Sequence, residues 1–356
     1  MSLAEDDSII VRTWQEIAVT ALHSRASDIH IEARSLETIV RIRIDGRLQL
    51  QHCYPIELHE RLITRIKLIA RLDIAEKRLP QDGRFSIGYD FTKPNIDCRV
   101  SILPTLHGEK AVIRILPSPL EELSLDDVGL LPEQCKLLRN AIHQPNGLIL
   151  VTGPTGSGKT RTLYSCLAEL NQEHLNLCSV EDPIEIQLAG VNQVAYHPNA
   201  GLDFSTIIRA LLRQDPDVMM IGEIRDPASA ALAIQAAQTG HLVLSTLHTR
   251  NAMSAIPRLQ SLGIDWESLE SCLHCVSSQR LVRKRCPCAI KQESLHCPAC
   301  KGSGYFSRLG VHEVLNLSAL QHPELPYLSL FEAGMRYVDS GIIDQASLIA
   351  EAGGLH

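Results

Sequence analysis

Leu148-Ile149-Leu150-Val151-Thr152 runs directly into Gly153-Pro154-Thr155-Gly156-Ser157-Gly158-Lys159-Thr160, with Arg161 next, and the reading of this stretch decides the fold. The short apolar run reads as a buried strand, and the segment from Arg161 onward reads as a helix. Between a strand and a helix, the glycines let successive backbone N–H groups converge on phosphate oxygens at the helix N-terminus. Lys159 then reaches the β- and γ-phosphates, and the Thr160 hydroxyl completes a Mg²⁺ shell. Gly153 through Arg161 is therefore the candidate nucleotide-binding segment.

The chain around it alternates apolar runs (LILVTG, LCSVED, VMMIGE, HLVLST) with helical segments, the rhythm of an α/β doubly wound parallel sheet. Such a fold needs a carboxylate at a second strand end. Asp217-Val218-Met219-Met220-Ile221-Gly222-Glu223 supplies one, and Glu223 is placed to organise Mg²⁺ water or the attacking water. The plainer reading is a solvated loop acid or a helix-start residue ahead of Arg225-Asp226-Pro227. Cys178-Ser179-Val180 also ends in acids, Glu181 and Asp182, with Glu185 shortly after, although Asp-Pro is ordinary turn chemistry too. His248, at the end of the fourth run, is either a γ-phosphate sensor or a satisfied structural histidine.

Working toward the N-terminus, residues 11–25 carry an amphipathic helical period, residues 38–44 read as a strand closed by the hairpin turn Asp45-Gly46, and residues 58–72 return to helix. Pro80-Gln81-Asp82-Gly83-Arg84 reads as a turn before two strands, Cys98 to Leu103 and Lys110 to Leu116. The expected organisation is an α+β domain over residues 1–117, a linker over 118–127 rich in Pro and acids, and the nucleotide-binding domain over 128–318. A helical tail over 319–356 shows no chemistry. With 356 residues the chain has room for two such domains.

Composition narrows the function. The 34 Lys and Arg against 41 Asp and Glu leave a net charge of −7, and aromatics are only 4 %, which argues against a nucleic-acid partner. No apolar run reaches the roughly 18 residues of a membrane span, and the N-terminus is acidic, so a cytoplasmic protein is expected. Eleven cysteines without a signal peptide fit reduced thiols or a metal site. Cys286-Pro287-Cys288 and Cys297-Pro298-Ala299-Cys300 form the candidate cluster, with structural Zn²⁺ and free thiols both open, and His296 an alternative ligand. Cys272 and Cys275 sit in WESLESCLHCVSSQRLV, whose period reads as helix, and are expected to face the core.

In this order GPTGSGKT, SVEDPIE, DPDVMMIGEIRD and TGHLVLSTLHT resemble the Walker A, Asp box, Walker B and His box segments of the secretion ATPase superfamily, specifically the type II secretion and type IV pilus assembly ATPases. The likeness continues upstream through ASDIHIE (26–32), RIRIDGR (41–47), PQDGR (80–84) and RVSILPT (99–105), and covers about residues 14 to 315. It implies a RecA-like P-loop ATPase domain preceded by a smaller α+β (PAS-like) domain, and a hexamer in which the smaller domain packs on a neighbouring subunit. The implied catalytic set is Lys159, Glu181, Glu185, Glu223 and His248, with Arg99 and Arg114 of the smaller domain reaching the nucleotide. ATP and Mg²⁺ are the implied cofactors, with structural Zn²⁺ on the four cysteines.

The implied activity is ATP hydrolysis driving assembly of a type IV pilus or type II secretion pseudopilus, at the inner face of the membrane through a polytopic inner-membrane platform protein. The alternatives are a retraction ATPase of the same superfamily or a nucleotide-binding scaffold with little turnover. Retraction motors generally lack the tetracysteine site, so the cluster favours extrusion. Two departures stand out: the chain resembles a short form without the additional N-terminal docking domain, and Arg161 replaces the usual threonine after Thr160. Activity is expected to survive the second change.

Overall fold

The computed structural model describes residues 3–88, 95–116, 123–290, 297–322 and 327–353. The chain divides into two units, Met1–Glu121 and Glu122–His356. The first holds α1 (Leu3–His23), β1 (Asp28–Ala33), β2 (Glu37–Ile44), β3 (Arg47–Pro55), α2 (His59–Ile69), β4 (Gln81–Ile87), β5 (Ile96–Thr105) and β6 (Gly108–Ile115). Its strands form one antiparallel sheet in the order β3-β2-β1-β6-β5-β4.

Period-two patterning decides what each face of that sheet does. Ile29, Ile31, Ile42, Val100 and Ile113 bury against Ile17 and Ala21 of α1 and Leu62 and Ile66 of α2. Directly opposed residues share a face, and the ladder sets Arg84, Arg99, Arg114, Asp28 and Arg43 in one row across five strands. The expected hairpin turn is present, with Asp45 (φ 47°) and Gly46 (φ 86°) both left-handed as a type I′ turn requires. The turn read at Pro80 to Arg84 is corrected: all but Pro80 belongs to β4. Gly83 is there for proximity, since a Cβ would lie 2.9 Å from Leu72 Cδ2 and 3.0 Å from the Ala70 carbonyl oxygen.

The second unit opens with a 3₁₀ turn (Leu125–Asp127), then α3 (Pro132–Ile142), β7 (Gly147–Thr152), α4 (Lys159–Leu170), β8 (Leu177–Glu181), β9 (Val191–Ala195), α5 (Phe204–Leu211) and β10 (Val218–Ile221). It continues with α6 (Pro227–Gln238), β11 (Leu242–Leu247), α7 (Ala255–Ser261), α8 (Trp266–Glu270), β12 (Leu273–Arg285), α9 (Pro287–Ile290) and β13 (Tyr305–Asn316). Helices α10 (Leu317–Gln321), α11 (Leu330–Asp339) and α12 (Gln345–Ala352) complete it. The seven-stranded sheet runs β13-β12-β7-β11-β10-β8-β9, parallel except for β13. Strands β7, β8, β10 and β11 are buried throughout because helices cover both faces. One layer uses Ile207, Ala233 and Leu259, and the other Leu138, Leu163 and Leu167.

Three readings change here. Residues 117–122 of the expected linker lie outside the described residues, and 123–127 belong to the second unit: Leu125 is buried in its core, and Ser124 Oγ accepts from the Asp126 amide at 3.2 Å. The helical reading of WESLESCLHCVSSQRLV holds only to Glu270, after which β12 begins. This strand is buried on both faces, so its apolar pattern has no period of two to read. The tail is integral, with Leu330, Ala333 and Leu348 packing on Val282 and Val311. Among the described residues no helix is long and apolar enough to cross a membrane.

Candidate nucleotide site and cysteine cluster

The phosphate loop leaves β7 at Thr152 and enters α4 at Lys159. Two of its glycines are fixed by a neighbour as well as by backbone conformation. A Cβ on Gly153 (φ 142°) would meet the Gln279 carbonyl oxygen at 2.6 Å, and one on Gly158 (φ 91°) would meet Gln279 Nε2 at 2.9 Å. Gln279, on β12 beside β7, donates from Nε2 to the Ser157 carbonyl (2.6 Å) and accepts from Thr162 Oγ1 (2.8 Å). It pins both ends of the loop's last turn. Sequence reading missed it, because it lies over a hundred residues away in a segment taken for helix.

Lys159 Nζ folds back over the loop and donates to the carbonyls of Gly153 (2.8 Å) and Pro154 (3.0 Å). Burial pushes its pKa down to about 8; the Glu223 carboxylate opposes that shift and the Arg280 guanidinium adds to it. Pro154, Thr155, Gly156, Thr160 and Arg161 are exposed at the mouth, whereas Ser157 is buried. Left-handed glycines, a lysine held by displaceable carbonyls and an open mouth suit a polyphosphate.

Glu223 follows β10 directly. Thr246 Oγ1 donates to the Gly222 carbonyl (2.7 Å) and the Ile224 amide to the Thr246 carbonyl (3.1 Å), so the ends of β10 and β11 are locked together. This brings His248 to Glu223, with Nε2 3.2 Å from Oε1, while Arg225 Nε donates to Oε2 at 2.8 Å. Arg225 also lies 3.6 Å from Asp182, tying Glu223 to the loop after β8.

Glu181 ends β8 and is buried. Its carboxylate accepts hydrogen bonds from the Tyr164 hydroxyl, Ser179 Oγ (2.6 Å) and Gln193 Nε2 (3.0 Å). Glu185 is half-buried, and its amide donates to the Tyr164 hydroxyl at 3.2 Å. Tyr164 and Arg225 carry no motif signal of their own, because their roles come from what tertiary packing places beside them.

Arg99 and Arg114 belong to the first unit and face each other across β5 and β6. Arg114 Nε donates to Asp28 at 3.1 Å, and its side chain is 65 % exposed. Asp28, next in the same row, lies within 3.1 Å of Arg114 and 3.6 Å of Arg43, so a carboxylate offsets part of the row's positive charge.

Among the described residues, Cys286, Cys288, Cys297 and Cys300 form the one group suited to a metal ion, with all four Sγ atoms within 4.8 Å of one another. Cys286 and Cys297 are 3.8 Å apart, and Cys288 and Cys300 3.4 Å. A tetrahedron with Zn–S bonds of about 2.3 Å has edges of about 3.8 Å, so the donor set fits Zn²⁺ despite the one-residue gap of the first pair. A turn frames it, with the Lys301 amide on the Cys297 carbonyl (2.8 Å) and the Ser303 amide on the Cys300 carbonyl (2.9 Å). His296 lies outside the described residues. Cys272 and Cys275 are core thiols as expected, and burial pushes them up to about 11 and about 12.

Residues 3–324 match the family described as type II/IV secretion system protein. The chain is 44 % identical over 344 residues to the protein transport protein HofB homolog of Haemophilus influenzae, which covers 97 % of this chain and 73 % of that protein. To the type IV pilus assembly ATPase PilB of Acinetobacter baylyi it is 42 % identical over 340 residues, covering 88 % of this chain and 58 % of PilB. Among solved structures, the pilus retraction motor PilT with bound ADP has a TM-score of 0.65 at 26 % identity, over 94 % of this chain and 96 % of that one. The chain spans less than two thirds of the length of PilB.

Proposed function

The chain belongs to the type II/IV secretion system protein family, and from that premise we propose that it is an ATP-hydrolysing motor that drives assembly of a type IV pilus or a type II secretion pseudopilus. The observation that carries the reading is the convergence of Glu223 and His248, 3.2 Å apart, beside the loop that holds Lys159. Lys159 exchanges its two loop carbonyls for β- and γ-phosphate oxygens. Glu223 positions the attacking water, and His248 faces the γ-phosphate end of the site. Thr160 would hold Mg²⁺, which neutralises phosphate charge when bound.

Arg99 and Arg114 stabilise the transferred charge from a neighbouring copy in a homohexamer. The shared row of Arg99 and Arg114 on neighbouring strands supports that role, since it sets both side chains on one face of the sheet. Cys286, Cys288, Cys297 and Cys300 would hold a structural Zn²⁺ through their four thiolates. The motor works at the inner face of the cytoplasmic membrane through a polytopic platform protein, and no nucleic acid takes part. The cysteine cluster favours extrusion over the retraction that PilT performs.

The Lys159→Ala variant tests the chemistry. Its ATP turnover should fall at least a hundredfold, on the order of the loss of one charged transition-state contact, with the fold intact by circular dichroism. Full turnover in that variant would rule out the phosphate loop as the site of hydrolysis.

A further inference from the structure

Helix α4 begins at Lys159, and five residues later its buried face presents Tyr164, which is 0 % exposed. The Tyr164 hydroxyl donates to the Glu181 carboxylate and accepts from the Glu185 amide at 3.2 Å. One hydroxyl thus joins the helix that follows the phosphate loop to the Glu181 carboxylate at the end of β8 and to the backbone of Glu185 in the loop after it. From there the contacts continue through Asp182 to Arg225 (3.6 Å) and from Arg225 to Glu223 (2.8 Å). Glu181 is also held by Ser179 and Gln193, which belong to β8 and β9 rather than to α4. Packing alone would be satisfied by phenylalanine; the hydroxyl is present for its two hydrogen bonds.

We propose that Tyr164 is a positioning residue for ATP hydrolysis: it fixes the Glu181 carboxylate at the end of β8 and the backbone of Glu185 relative to α4, the helix that begins at Lys159. The inference rests on the ATPase reading above. Tyr164 touches no substrate. It acts by keeping the end of β8 and the loop after it in register with the helix that carries Lys159.

Tyr164→Phe removes the hydroxyl and little else, so the full chain can be compared in steady-state ATPase and fluorescent-ADP binding assays. The expected result is kcat lower by about tenfold, the worth of one hydrogen bond to a charged acceptor, with KM and ADP affinity within about twofold of wild type. A Tyr164→Phe/Glu181→Gln double variant should be no slower than Glu181→Gln alone, because both act in one unit. Ser179→Ala, which strips Glu181 of a donor unconnected to α4, should cost less. The proposal is overturned if kcat is unchanged, if kcat, ADP affinity and melting temperature all fall together as for a packing defect, or if Ser179→Ala costs as much. A wild-type chain that binds ADP but never turns over ATP removes the ATPase reading itself, and this proposal with it.

Discussion

Lys159 sets the acid–base behaviour of the site. Burial disfavours its ammonium form and brings its pKa to about 8, and phosphate oxygens at the same position would restore the charge. The sign follows: above pH 8 the nucleotide-free lysine is largely neutral, so binding ADP takes up a proton, and affinity falls as pH rises from 8 toward 10. Calorimetric titration at pH 8.5 in two buffers of different ionisation enthalpy should show net proton uptake on binding; a buffer-independent enthalpy would contradict it. Lys159, Thr160 and the glycines were legible in the sequence because phosphate binding demands those residue types at that spacing. Glu223 and His248 were legible as strand-end residues, but their pairing was not, since it depends on the alignment of β10 and β11. Tyr164, Arg225 and Gln279 act through tertiary hydrogen bonds and left no local signature.

At the scale of elements, burial on both faces is what hides a strand. Strand β12 reads as helix because Leu273, Cys275 and Val276 all bury, and β4 reads as a turn because Gly83 serves a close approach to α2's end rather than a reversal. The alternating strands β2 and β5 of the half-open sheet were readable for the opposite reason. A second backbone contact escapes sequence reading altogether: Gly129 (φ 90°) lies against Gly310 of β13, and a Cβ there would be 2.3 Å from the Gly310 carbonyl oxygen. Gly129→Ala should therefore destabilise the second unit by roughly 3 kcal/mol, from strain and overlap together, measured by chemical denaturation. A loss below about 1 kcal/mol would mean that the two segments separate easily.

For the whole molecule, the two-unit division was visible as a change from alternating strands to strand–helix repeats, with Pro117 and Pro119 near the break. The helical character of the tail was visible too, but not its packing, because α11 and α12 gain their place by covering β12 and β13. The cysteine cluster makes a prediction at this scale. Purified protein should carry about one zinc per chain by thiol-displacement titration, and chelation should lower the melting temperature; a metal-free protein with an unchanged melting curve would leave four ordinary thiols.

In the proposed motor Glu223, beside the phosphate loop, serves an ATPase that works as an assembly of copies. Steady-state ATPase rate against protein concentration, with light scattering for mass, on wild type and Glu223→Gln tests it most directly. The account predicts a specific activity that rises as hexamers form and is abolished in the variant. Nucleotide binding without turnover at any concentration, or equal turnover by the variant, would contradict it.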